Sequence, residues 1–225
     1  MPYHACYLCS ADSAGGEDFC LPCLAELPWN LHPCLGCAVP LNAPGMDYCR
    51  RCLALPNAFD QCFVPIIYGT PIDDMILRYK QHADERVGAI LGRLLINALP
   101  ASAQATLFDS TVIPVPMFTA NLRQRGFNPA QQVAVRLAKQ LTLPINYQLL
   151  CQRKHDPQKG LNATQRQKNL QGVFRFEGKA PKHCLIVDDV MTTGATVQTV
   201  ATELKRRGCE YISVVCLART PSALD

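Results

Sequence analysis

The chain has 225 residues, 48% hydrophobic and 18% charged, with a formal net charge of +4. That length and apolar content suit one full α/β domain and a small additional module. The best apolar stretch, residues 87–99, is too short for a membrane span and contains Arg93, and the first residues lack the features of a secretory signal. We therefore expect no membrane span and a cytoplasmic location.

Eight of the thirteen cysteines form four Cys-x-x-Cys pairs before residue 53. Two such turns complete a tetrahedral Zn²⁺ site, so the spacing predicts two structural zinc ions with no open coordination position. We pair the turns in sequence order, although an interleaved arrangement satisfies the same count. The predicted ligands are Cys6, Cys9, Cys20 and Cys23 for the first zinc, and Cys34, Cys37, Cys49 and Cys52 for the second.

The cysteine-rich segment is also an internal repeat, because the pattern of residues 20–28 returns at residues 49–56. This predicts a double zinc ribbon over residues 1–58, followed by a second domain over residues 59–225. So short a segment with few large apolar side chains depends on bound metal for its stability. A redox role for the pairs would need a thioredoxin-like strand and helix context, which the segment lacks.

Strand-like and helical segments alternate after residue 58, which predicts an α/β fold with a doubly wound, mainly parallel sheet. The predicted strands are 62–68, 110–115, 144–150, 184–187 and 211–218, and the predicted helices are 71–80, 84–99, 129–141 and one that begins near residue 195.

Positive charge is concentrated in residues 122–182, which contain twelve Lys and Arg and two acidic residues, a net charge of +10. Such a stretch would attract a polyphosphate or a nucleic acid, although a charged run is also typical of a solvated surface. A polar loop at 153–169 is a candidate mobile lid. The candidate anion contacts are Arg123, Arg125, Lys154 and Arg166.

Residues 184–196 combine an apolar strand, two carboxylates and a Thr- and Gly-containing turn that enters a helix. Asp188 and Asp189 follow the strand, at the edge where open α/β sheets bind ligands. Adjacent carboxylates can accept hydrogen bonds from two ribose hydroxyls or hold hydrated Mg²⁺, and helix N-terminal amides favour a phosphate. The alternative is a plain strand-to-helix junction in which Asp189 or Thr192 only caps the helix.

This segment resembles the signature for 5-phosphoribosyl-1-pyrophosphate (PRPP) in type I phosphoribosyltransferases. The resemblance implies that the proline-braced turn at 114–117 meets the pyrophosphate group, with the Val115 and Met117 amides as donors because proline has none. A rigid strand end is the alternative for that turn. The implied PRPP site consists of Val115, Asp188, Asp189, Met191, Thr192, Thr193, Gly194, Ala195 and Thr196.

The order of motifs along nearly the whole chain resembles the ComF family. The motifs are the cysteine pairs, the Pro-Val-Pro turn, Arg-Gln-Arg-Gly-Phe-Asn at 123–128, Gln-Lys-Gly-Leu at 158–161, Arg-Gln-Lys-Asn at 166–169 and the PRPP-type signature. The family is associated with DNA uptake and the use of external DNA. The resemblance therefore implies a PRPP-binding, phosphoribosyltransferase-like protein with that role.

Three functions are compatible with these residues. In the first, Mg²⁺ and Arg123, Arg125 and Arg166 assist pyrophosphate departure as a phosphoribosyl group passes to a nucleophile in DNA uptake. In the second, the chain senses PRPP or a nucleotide without turnover and binds single-stranded DNA, or uptake-machinery proteins through the zinc module. The third is a nucleobase or amine phosphoribosyltransferase of nucleotide metabolism. No residue in the sequence identifies a catalytic base or an acceptor.

Overall fold

The structure, a computed structural model, describes residues 5–13, 17–41, 45–152 and 172–221. The predicted lid at 153–169 lies outside these ranges, and so do the candidate anion contacts Lys154 and Arg166.

Five strands of the described residues form one parallel sheet. Strands β1 and β2 both pair with β7, β7 pairs with β6, and β6 pairs with β3. Strands β4 and β5 form a separate antiparallel pair. The strands are β1 (Gln61–Phe63), β2 (Ile66–Ile67), β3 (Thr111–Pro114), β4 (Leu149–Cys151), β5 (Phe174–Phe176), β6 (His183–Met191) and β7 (Tyr211–Arg219).

Helices flank the sheet, and local capping residues set several of their ends. Asp84 caps α4 by accepting a hydrogen bond from the Val87 amide, and Asn128 caps α7, whose first residue is Pro129. No helix in the described ranges is long and apolar enough to cross a membrane. The helices are α1 (Leu21–Ala25), α2 (Arg50–Ala54), α3 (Ile72–His82), α4 (Glu85–Ala98), α5 (Ala101–Leu107), α6 (Thr119–Arg125), α7 (Pro129–Leu141) and α8 (Ala195–Arg206).

Two apolar clusters cover the two faces of the sheet. Helices α3, α4 and α7 pack on one face, together with Cys6 and Phe19 of the cysteine-rich segment. Helix α8 and the β4–β5 pair pack on the other, together with Cys34, Cys37 and Cys49. The predicted fold class, a doubly wound parallel sheet with an N-terminal cysteine-rich module, is confirmed.

Two predicted strands are wrong in their extent. The strand predicted at 62–68 is split into β1 and β2, because Pro65 lies between them and cannot donate to the ladder. Of the strand predicted at 144–150, Ile145 makes only an isolated bridge to Val112, and Leu149 begins the separate β4–β5 pair. Helices α5 and α6 were not predicted.

Candidate functional site

Strand β6 lies in the middle of the sheet, between β7 and β3. We refer to the space above the carboxyl ends of β6 and β3 as the crevice. After β6 the chain passes through α8 and returns to the sheet at β7, on one side of β6. After β3 it passes through α7 and returns at Ile145, which bridges to Val112 on the side of β3 away from β6. The two connections therefore diverge above neighbouring parallel strands. Such a switch point is where open α/β sheets bind ligands.

The turn from β6 into α8 brings backbone groups to this crevice. Helix α8 begins at Ala195, and Gly194 precedes it with a φ of +77°, a left-handed conformation that favours glycine. The Thr193 hydroxyl accepts a hydrogen bond from the Ala195 amide at 3.3 Å. The first turn of a twelve-residue helix thus faces the crevice, with the positive end of its dipole suited to a phosphate group.

Asp188 and Asp189 lie within β6, which continues to Met191, and their carboxylates interact. Burial raises the pKa of Asp188 to about 8, because it removes the carboxyl group from water, and the negative charge of Asp189 adds to this shift. Two adjacent carboxylates can ligate a divalent cation or accept hydrogen bonds from a pair of sugar hydroxyls. The structure therefore brings both acidic residues to the carboxyl end of β6, beside the turn.

Lys80 is a site residue that the sequence reasoning missed. It lies in the last turn of α3, and its ammonium group contacts the Asp189 carboxylate at 2.8 Å. Both side chains are only about one-fifth exposed, at 21% and 19%. A lysine among charged residues on an amphipathic helix carries no sequence signal that separates it from a solvated one. The contact places the positive charge of Lys80 beside the Asp189 carboxylate at the edge of the site.

The turn after β3 flanks the crevice, but one predicted contact there needs correction. The Val115 amide donates to the Val187 carbonyl at 2.9 Å and thereby extends the pairing of β3 with β6. The resemblance implied that this amide holds a pyrophosphate oxygen, but its hydrogen bond to Val187 leaves it unavailable for that role. The Asn128 side chain braces this turn by donating to the Val115 carbonyl at 2.9 Å. Of the two amides proposed to meet the pyrophosphate group, only that of Met117 remains a candidate.

The basic stretch does not form one uniform surface in the part of it that the structure describes. Arg123 is exposed and Arg125 partly exposed in the last turn of α6, on the β3 side of the crevice. Arg136 pairs with Glu85 at 3.4 Å, and Lys182 pairs with Glu210 at 2.8 Å. Part of the local charge is therefore neutralised. Among the described basic residues, Arg123 and Arg125 remain the candidate anion contacts.

The eight paired cysteines form two clusters with the ligand sets Cys6, Cys9, Cys20, Cys23 and Cys34, Cys37, Cys49, Cys52. Within each cluster the four sulfur atoms lie within 4.8 Å of one another. The Cys9 and Cys20 sulfurs are 3.5 Å apart, and those of Cys37 and Cys49 are 3.7 Å apart. A tetrahedral zinc site with Zn–S bonds of about 2.3 Å spaces its sulfurs by about 3.8 Å, whereas a disulfide holds them at about 2 Å.

The environment of the sulfurs also fits a metal site. The Cys49 amide donates to the Cys34 sulfur at 3.3 Å, and the Asn57 side chain donates to the Cys52 sulfur at 3.4 Å. Such donors commonly surround metal-bound thiolates. Hydrogen bonds with the neighbouring Cys9 and Cys20 sulfurs raise the pKa of Cys23, and binding of a divalent cation would release the thiol proton. Each cluster can therefore hold a zinc ion.

Two arginines join the second cysteine cluster to the turn before α8, and the sequence reasoning missed both. Arg51, in α2, donates to the Thr193 carbonyl. Arg219, at the end of β7, donates to the Cys37 carbonyl and to the Met191 and Thr192 carbonyls. In the sequence, the only indication of a role for Arg219 was that it is the one charged residue of β7 and lies at the end of that strand.

Comparison with known proteins agrees with this geometry. The phosphoribosyl transferase domain family matches residues 123–225. DNA utilization protein YhgH of Salmonella typhi is 29% identical over 220 residues, 96% of each chain. Competence protein F of Haemophilus influenzae is 29% identical over 180 residues, 77% of this chain and 79% of that protein.

Among solved structures, a purine phosphoribosyltransferase from Pyrococcus horikoshii Ot3 is 23% identical and covers 57% of this chain and 72% of its own, with a TM-score of 0.37. That score is too low to support an inference. The family match, the two relatives and the order of motifs together carry the assignment. These findings support a ComF-family, phosphoribosyltransferase-like protein.

Proposed function

We propose that this protein binds PRPP with Mg²⁺ at the crevice above β6 and acts in the uptake or use of external DNA. The observation that carries the proposal is the adjacent pair Asp188 and Asp189 near the carboxyl end of β6, beside the N-terminus of α8. This arrangement provides for a sugar, a phosphate and a cation at one edge of the sheet. The names of the two relatives support the role in DNA uptake.

Each part of the site has a role in the proposal. The amides of residues 193–196 and the Thr193 hydroxyl would bind the 5-phosphate, because they lie at the N-terminus of α8, where backbone N–H groups and the helix dipole favour an anion. Asp188 and Asp189 would accept hydrogen bonds from the ribose hydroxyls or ligate Mg²⁺. Bound Mg²⁺ would supply charge stabilisation for the pyrophosphate group. A bound cation would lower the pKa of Asp188 again, because a nearby positive charge favours the ionised carboxylate.

The reaction that such a site supports is transfer of the phosphoribosyl group to a nucleophile with release of pyrophosphate. Positive charge that develops on the ribose ring would lie beside the two carboxylates, which favours bond breaking. Arg123 and Arg125 would assist from the β3 side by contacting the departing pyrophosphate. Pyrophosphate release measured over a panel of nucleobases and amines would identify the acceptor.

Thermal unfolding with and without Mg²⁺ and PRPP tests the binding site. Ligand at a hundred times its Kd adds about 2.7 kcal/mol to the free energy of unfolding, which raises the Tm of a chain of this size by roughly 5–10 °C. We expect this rise for the wild type and for Asp109→Ala, an exposed acidic control at the amino end of β3. Asp188→Ala combined with Asp189→Ala should abolish it. An unchanged rise in that double variant contradicts the site.

A direct contact with single-stranded DNA is the second part of the proposal. Exposed Arg123 and partly exposed Arg125 would contact phosphates, so binding should weaken steeply as salt increases. Fluorescence anisotropy with a labelled oligonucleotide measures this directly. Loss of affinity in Arg123→Ala combined with Arg125→Ala supports the contact, whereas no binding at low salt excludes it and leaves protein partners of the cysteine-rich module as the link to DNA uptake.

The proposal includes two zinc ions as resident structural cofactors, a division into a zinc module at residues 1–58 and a phosphoribosyltransferase-like domain at 59–225, and a cytoplasmic location. The cysteine geometry supports the metal sites. Free thiols persist in reducing compartments, which favours the location.

A further inference from the structure

A buried arginine connects the second cysteine cluster with the proposed phosphate-binding turn. Arg219 is only 3% exposed, so its guanidinium must be satisfied by protein acceptors. Its Nε donates to the Cys37 carbonyl at 3.1 Å, and one Nη donates to the Met191 carbonyl at 3.0 Å and to the Thr192 carbonyl. One rigid planar group therefore fixes the distance between a cysteine ligand and the turn.

A second arginine makes the same connection from the surface. Arg51 is exposed on α2 and donates to the Thr193 carbonyl. It lies between Cys49, which immediately precedes α2, and Cys52, which lies within it. The same region makes a further contact, in which the Ala58 amide donates to the Gln198 side chain of α8 at 3.1 Å. Three separate hydrogen-bonding groups thus join this cluster to the start of α8.

A metal ion at the second cluster would fix the positions of the groups on the cluster's side of these contacts. Helix α2 has only five residues, and a helix of that length is unstable without external support. The four thiolates that flank and enter it supply that support when they share one cation. Without the cation, the Cys37 carbonyl and Arg51 would no longer be held opposite the turn.

The first cluster differs in its attachment, although its cysteine spacing is nearly the same. It packs on the opposite face of the sheet, where Arg93 of α4 forms two hydrogen bonds to Asp18, at 2.6 and 2.7 Å. Arg86 of α4 lies 5.9 Å above the Tyr7 ring. These contacts lead to α4 and not to the turn before α8. The two clusters therefore provide an internal comparison.

We propose that the metal-bound second cluster positions the phosphate-binding turn, through Arg51 and Arg219, and that the first cluster has no such role. This inference rests on the proposed function and adds regulation of the same site by metal occupancy. Loss of metal from the second cluster would weaken phosphoribosyl ligand binding while the central sheet stays folded. Loss of metal from the first would leave binding unchanged.

The test uses the full-length, zinc-loaded protein with matched variants. Cys52→Ser and Cys23→Ser each remove one partly exposed thiolate, from the second and the first cluster respectively. Arg51→Ala removes the exposed hydrogen bond to Thr193 without changing a cysteine, and Arg51→Lys restores the positive charge. Arg93→Ala, which removes the hydrogen bonds to Asp18 beside the first cluster, is the control for Arg51→Ala. Zinc content by mass spectrometry and far-UV circular dichroism establish that each variant is folded and how much metal it holds.

Calorimetric titration with Mg²⁺ and PRPP gives the first readout. We expect Arg51→Ala to bind roughly tenfold more weakly, because a hydrogen bond from a charged group contributes about 1.5 kcal/mol or more. Arg51→Lys should recover part of the loss, and Cys52→Ser should lose at least as much affinity as Arg51→Ala. Cys23→Ser and Arg93→Ala should match the wild type. Equal affinities of Cys52→Ser and Cys23→Ser would overturn the proposal.

Hydrogen–deuterium exchange of the ligand-free protein gives a readout that does not depend on PRPP. Faster exchange of residues 191–197 in Arg51→Ala and Cys52→Ser, but not in Cys23→Ser, supports the positioning role. Unchanged exchange in the first two variants refutes it. A wild type that binds no PRPP contradicts the proposed function instead, and the exchange data still decide whether the cluster positions the turn.

Discussion

Replacing Asp188 by asparagine should stabilise the ligand-free protein, and the gain should grow with pH. Burial and the charge of Asp189 raise the pKa of Asp188 to about 8, so the folded protein resists ionisation of this carboxyl. The unfolded chain ionises it near pH 4. Asparagine keeps the Oδ1 acceptor, to which the Asp189 amide donates at 2.9 Å, but carries no ionisable proton.

The sign and size follow from proton linkage. Because the folded pKa is raised, the wild type loses stability from this group as pH rises from about 4 to about 8, at most by about 1.4 kcal/mol per pH unit. The full shift corresponds to a penalty on the order of 5 kcal/mol at pH 8. Relaxation and water entry reduce such penalties, so we expect a Tm advantage of at least about 5 °C for Asp188→Asn at pH 8.

Thermal unfolding followed by circular dichroism at pH 5, 6, 7 and 8, in constant zinc, measures the difference between variant and wild type. The difference should increase steadily over this range. Asp189→Asn is the control, because it leaves Lys80 without its partner at 2.8 Å and should destabilise the protein. An Asp188→Asn effect that is independent of pH, or a loss of stability at pH 8, would refute the reasoning.

Three further predictions concern groups around the site. Lys80→Ala should lower the free energy of unfolding by about 1–3 kcal/mol, since it leaves the Asp189 carboxylate unpaired; urea denaturation measures this, and an unchanged midpoint would contradict it. Burial opposes the ionisation of Glu203, but hydrogen bonds from the Phe176 amide and two arginines lower its pKa. Glu203→Gln should therefore lose stability at neutral pH and approach the wild type as pH falls below about 4, and a constant difference would argue against that role. The wild type should contain two zinc equivalents, and Cys23→Ser and Cys52→Ser one fewer each, by metal analysis of the purified proteins; an unaltered zinc content would rule out these ligand sets.

Much of the architecture could be predicted because its determinants are local. The apolar run that enters Asp188 and the Thr-Gly turn before α8 specify a strand, a turn and a helix start within a few residues. Helix α7 was predicted with its observed bounds, since Pro129 marks its first turn. The cysteine spacing likewise indicated the two four-cysteine clusters.

The missed features depend on contacts between residues far apart in sequence. Arg219 and Cys37 are separated by 182 positions, and Arg51 and Thr193 by 142. No local pattern marks such partners. The resemblance implied that the Val115 amide meets the pyrophosphate group, whereas in the sheet this amide donates to the Val187 carbonyl. Local patterns therefore located the site, and only the fold revealed what supports it.

The central claim is that the turn from β6 into α8 binds the 5-phosphate of PRPP while Asp188 and Asp189 hold the ribose or its cation. A crystal structure of the zinc-loaded protein with Mg²⁺ and PRPP tests this most directly. We predict the phosphate within hydrogen-bonding distance of the amides of residues 193–196, and the ribose hydroxyls or Mg²⁺ at the two carboxylates. PRPP bound elsewhere, with this turn and both carboxylates free of ligand, would contradict the account.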